Sequence, residues 1–64
     1  MGLAKTLKQL RKQSGLTQLQ LAAKSGVSRG YLARLEAGLQ TDPGLRIVKK
    51  LAKALNVSAA ELMN

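Results

Sequence analysis

Residues 17–38 read TQLQLAAKSGVSRGYLARLEAG, and this stretch leaves the chain few ways to fold. It predicts two short helices hinged at Gly26. Thr17 and Gln20 have capping-box spacing: the hydroxyl accepts from an orphan amide while the Gln side chain reaches back to the cap. The first helix therefore starts at Thr17, with Leu21 and Ala22 facing inward. Gly26 provides the left-handed turn residue that a Cβ disfavours. Ser28 is a natural N-cap for the second helix.

That second helix sets the orientation. At helical periodicity Tyr31, Leu32 and Leu35 share one face, and Arg29, Gly30, Ala33, Arg34 and Ala37 the other. The outward face thus carries two arginines separated by very small side chains, so another molecule can come close while the long arms reach sideways. A guanidinium suits the paired acceptors of a guanine edge in the major groove, and it suits phosphate equally well.

With its flanks, the stretch resembles the phage repressor and Cro class of helix-turn-helix proteins, also called Xre-like. The resemblance covers roughly residues 3–62. It is carried by the LTQxxLA run (Leu16, Thr17, Gln18, Leu21, Ala22), the Gly26-Val27-Ser28 turn, the LExG ending (Leu35, Glu36, Gly38), Pro43, the LAKAL run at 51–55 and Val57-Ser58. A lone helix-turn-helix pattern is weak evidence; these elements together and in order are specific. The resemblance implies an all-α fold, a compact five-helix bundle of the lambda-repressor-like type, with helices 2 and 3 as the helix-turn-helix.

Charge and length agree. Eleven Lys and Arg against three acids give the 64 residues a net charge of +8, which predicts attraction to a polyanion: DNA, RNA or an anionic membrane surface. One Tyr as the sole aromatic argues against single-strand binding by base stacking. The length predicts a single domain, 1–64, near the lower limit for stability from a core alone. Cys and His are both absent, so disulfides and thiolate metal sites are excluded; a reducing compartment is compatible. Apolar runs are too short for a membrane span, and no signal peptide is evident.

Along the chain, residues 3–13 predict helix 1. Leu3, Leu7 and Leu10 form its apolar stripe, and Lys5, Lys8 and Lys12 lie on another face. Ser14-Gly15 ends it. Arg11 borders the stripe, where a partly buried guanidinium needs a partner, and Glu36 is the natural candidate. The resemblance implies the same helix 1 to helix 3 pairing. Gly38 ends helix 3, residues 39–42 form a loop, and Pro43 precedes helix 4 at 45–55. There Leu45, Val48, Leu51, Ala52 and Leu55 gather on one side, with Arg46, Lys49, Lys50 and Lys53 opposite. Asn56 closes that helix in the left-handed conformation. Ser58 and Glu61 open a short helix 5 that turns Leu62 inward. Ile47, Leu39 and Met63 are candidates for a small exposed apolar patch.

The candidate DNA-binding residues are Gln18, Ser28, Arg29, Gly30, Tyr31, Ala33, Arg34, Gln40 and Thr41. Arg29 resembles the family's main base-contacting position, Gly30 and Ala33 occupy further groove-facing positions, and Arg34 lies one turn on. Gly30 departs from the usual pattern: it costs roughly 0.5–1 kcal/mol relative to Ala and offers no side chain to a base. It either permits close backbone approach or marks a helix that reads little sequence. Gln18, with the N–H groups at the start of helix 2, points to phosphate. Ser28 and Tyr31 are phosphate candidates with plain alternatives, capping for the first and core packing for the second. The loop after helix 3 departs too, since family members often carry Lys or Arg there; Gln40 and Thr41 offer amide and hydroxyl instead. The lysines of helices 1 and 4 read as solvated faces that add long-range attraction.

These observations exclude catalysis, metal sites and cofactors: no His or Cys, three scattered acids, and no phosphate-cradling glycine loop. The expectation is a sequence-specific double-stranded DNA-binding regulator, most simply a repressor, with helix 3 (about 28–37) in the major groove. It would be cytoplasmic, of a bacterium or phage, and a homodimer on a two-fold operator. The alternative is a protein-interaction module, antitoxin- or coactivator-like, with weak base reading. Whether the chain is complete or one part of a longer protein is open.

Overall fold

The ends of the helices follow from local chemistry, and the core from their inward faces. The computed structural model describes residues 2–40 and 42–63, in which five helices form: α1 (Leu3–Gln13), α2 (Gln18–Ser25), α3 (Arg29–Glu36), α4 (Leu45–Ala54) and α5 (Ala59–Met63). Strands are absent among these residues. The Thr17 box forms in full: the Gln20 amide donates to Thr17 Oγ1 at 3.1 Å and the Thr17 amide to Gln20 Oε1 at 2.9 Å. Gly26 is left-handed at φ 79°, and its amide donates to the Ala22 carbonyl. Ser28 then caps α3 by accepting from the Tyr31 amide at 3.2 Å, and Ser58 caps α5 through the Glu61 amide at 3.0 Å.

Three helices stop in the same way. The amides of Leu16, Leu39 and Val57 donate five residues back to the carbonyls of Arg11, Arg34 and Ala52, past a left-handed residue that is Gly15, Gly38 or Asn56. This six-to-one bond satisfies carbonyls that the helix end would otherwise orphan.

The core joins Leu7 of α1, Leu21 and Ala22 of α2, Val27 of the turn, Leu32 and Leu35 of α3, Val48, Leu51, Ala52 and Ala54 of α4, Leu55 just beyond it, and Leu62 of α5. Burying a leucine or valine side chain contributes roughly 1.5–3 kcal/mol. α3 packs on α1 and α2, α4 packs on α2, and α5 closes onto α1 and α4. The result measures 22 × 22 × 20 Å along its principal axes. Among the described residues no helix is long and apolar enough to cross a membrane.

Two packing expectations need correction. Leu45, placed above on the apolar side of α4, is 62% exposed. It lies roughly 90° around the helix from the centre of the buried face, at the first residue, where no other helix covers it. Ile47 is half-buried and packs against the core, so of the proposed patch only Leu39 and Met63 are freely exposed.

Candidate nucleic-acid interface

α3 carries its terminal charges against the helix dipole. A helix favours acids at its start and bases at its end, yet Arg29 is the first residue of α3 and Glu36 the last. Only the second conflict is resolved within the protein. Glu36 receives a two-pronged hydrogen bond from Arg11, Nε to Oε2 at 2.7 Å and Nη2 to Oε1 at 3.0 Å. Both side chains are almost wholly buried. Arg11 also donates through Nη1 to the Leu16 carbonyl at 2.7 Å, so one guanidinium ties α1 to the entry of α2 and the end of α3. The hydrogen bond to Glu36 raises the pKa of Arg11 above its ordinary value; burial opposes this, and the charge of Glu36 adds to it. The group stays a cation, and its donors satisfy what burial would otherwise leave unpaired.

Gln18 joins the same cluster: its Nε2 donates to Glu36 Oε1 at 3.2 Å. Sequence reasoning treated Gln18 as free for phosphate and missed this contact, because the partners lie 18 positions apart with no local signal between them. An amide nitrogen carries two hydrogens, so Gln18 keeps one donor for a ligand while Glu36 orients it.

Arg29, at the other end of α3, is exposed and forms no ion pair among the described residues. α3 has no acid in its first turn, and neither has α2. The Glu36 carboxylate lies at the entry of α2, whereas the Arg29 cation at the positive end of α3 forms no ion pair among the described residues, an arrangement that a bound anion relieves. Gly30 and Arg34 are exposed beside Arg29, while Ala33 is half-buried. Ser28 is exposed with its oxygen engaged by the Tyr31 amide, leaving its hydroxyl hydrogen for an external acceptor. Tyr31 is half-buried and packs on the core. Gln40 is half-buried in the loop, its backbone N–H donating to the Arg34 carbonyl at 3.3 Å; Thr41 lies outside the described residues.

The structure therefore brings Gln18, Glu36 and Arg11 together and lines Arg29, Gly30, Ala33 and Arg34 along the outer side of α3. A second basic surface lies on α4, where Leu45, Arg46, Lys49, Lys50 and Lys53 border an open trough. Among the described residues no group of three or more His, Cys, Asp or Glu side chains could hold a metal ion.

Two capped helices at a glycine turn, the second presenting an exposed cationic face, define a helix-turn-helix protein. The Helix-turn-helix family profile matches residues 7–62, and the chain belongs to that family. The HTH-type transcriptional regulator SinR of Bacillus licheniformis is 40% identical over 58 residues, covering 91% of this chain and 52% of that protein. The chain thus spans about half the length of this relative. The crystal structure of SinR, the master regulator for biofilm formation, in complex with DNA matches with a TM-score of 0.91 at 37% identity, over 94% of this chain and 95% of that one. The restriction-modification controller protein C.AhdI from Aeromonas hydrophila matches with a TM-score of 0.90 at 36% identity, over 95% and 91% of the two chains.

Proposed function

We propose that residues 1–64 form one DNA-binding domain of a transcriptional regulator, which seats α3 in the major groove of double-stranded DNA. The observation that carries this reading is the exposed Arg29, a cation at the positive end of a helix that forms no ion pair among the described residues. Arg29 and Arg34 contact base edges and phosphate, while Gln18, the start of α2 and the loop residues Gln40 and Thr41 contact the backbone and fix register. Ser28 and Tyr31 flank these contacts. The likeness to SinR bound to DNA supports the reading. Repression follows most simply from occluding a promoter, with two copies on half-sites about one helical turn apart, in the cytoplasm of a bacterium or phage host.

Selection from a random duplex pool at about 150 mM salt, where screening trims purely ionic binding, tests this proposal. A recovered palindrome supports a dimeric base reader. Recovery of no motif, with binding that collapses as salt rises, overturns base reading and favours a protein-interaction module.

A further inference from the structure

We infer that Gly30 is a specificity-determining residue: its bare backbone is the point of closest approach between α3 and a base pair, and it sets how far Arg29 and Arg34 reach. The inference rests on the DNA-reading function proposed above. Of the six glycines, three hold left-handed turns at φ 73°, 79° and 78°, and these are Gly15, Gly26 and Gly38. Gly2 and Gly44 are the N-caps of α1 and α4, a position glycine tolerates well. Gly30 has neither reason. It is the second residue of α3, its φ is not positive, and a Cβ built on it meets no atom within 4 Å. Nothing inside the protein requires a glycine there, and the helix is weakened by it.

Gly30 is exposed between the exposed Arg29 and Arg34, with Arg34 roughly 40° around the helix from it. A methyl at this position adds a carbon–carbon bond, about 1.5 Å, to the exposed backbone at Gly30. Standing the helix off a base pair by that distance takes guanidinium hydrogen bonds beyond the 2.7–3.2 Å in which they are effective. Fold stability and recognition therefore pull in opposite directions at this residue. Purely structural glycines do not behave so, because replacing them harms both.

The test is Gly30→Ala in the 64-residue chain, measured by thermal melting and by titration of the duplex recovered from the random pool at fixed salt. The variant cannot fail for lack of folding, because alanine is the better helix former. The expected result is a Tm higher by about 2–8 °C together with at least a tenfold loss of affinity for the selected duplex, the size of one weakened bidentate base contact. The preference at one base position should change as well. A raised Tm with unchanged or tighter binding, while the wild-type chain still selects a motif, overturns the role of Gly30 and leaves base reading intact. A wild-type chain that selects no motif overturns both.

Discussion

α3 and α4 are both exposed basic helices, and charge alone does not tell them apart. α4 carries Arg46, Lys49, Lys50 and Lys53 on its outer side, more cations than α3 with Arg29 and Arg34. The two differ in how firmly they are held and in what kind of cation they offer. α3 has a side-chain cap from Ser28 and ends in the buried Arg11–Glu36 pair. α4 starts at Gly44 with no side-chain cap and is held by its apolar face. Guanidinium forks can match two acceptors at once; ammonium groups on long stems are strongly hydrated point charges. Recognition needs preorganised, directional donors, whereas a solvated lysine face gives attraction without register. On this argument the proposed interface lies on the less charged helix.

Breaking the anchor should have the largest effect. Glu36→Ala leaves the Arg11 guanidinium buried and unpaired, and such losses cost about 3–5 kcal/mol. In a domain of this size that should unfold much of the population, read as a collapse of the urea midpoint. Because Arg11 is held above its ordinary pKa, its contribution is complete across the neutral range and is lost as pH rises through the raised value, far into alkali. A wild-type melt that shifted strongly between mildly acidic and mildly alkaline buffer would have to come from other groups.

Arg29→Ala tests the recognition side of the comparison. It should lower discrimination at one base position by about 1–3 kcal/mol and leave the melting temperature nearly unchanged, as measured on a panel of single-substitution duplexes. A uniform loss across all sequences would demote Arg29 to a phosphate contact. Ser28→Ala removes the cap that α4 lacks and should destabilise the fold by about 1 kcal/mol, visible in a denaturant titration. Lys50→Ala should do least, within about 0.5 kcal/mol in stability, with at most a small, sequence-independent drop in affinity. If Lys50→Ala reduced specific binding as much as Arg29→Ala, the distinction between the two helices would fail.

The helices, their caps and the Arg11–Glu36 pair were legible because each has a local or compositional signature. The capping patterns at Thr17 and Ser58 each span four residues, the left-handed glycines follow helical runs, and a half-buried Arg among only three acids leaves few partners. The turn at Gly26 and the outward placement of Arg29 follow from the same periodicity. Contacts that depend on how helices cross were not legible. Gln18 looked free in the sequence, and its bond to Glu36 exists because the start of α2 and the end of α3 meet in space. Leu45 fits the apolar pattern of α4 yet is solvated, since periodicity assigns a face but not the neighbour that covers it.

By itself, then, the sequence determined five helices, their ends, a cationic α3 face and a membership that the family profile bears out. These rest on hydrogen bonds and side-chain periodicity spanning a few residues. Tertiary structure alone decided that one buried carboxylate receives both Arg11 and Gln18, that Ile47 packs while Leu45 does not, and that the space around Gly30 is empty. Each depends on the distance between segments remote along the chain, a quantity set by the joint packing of all five helices.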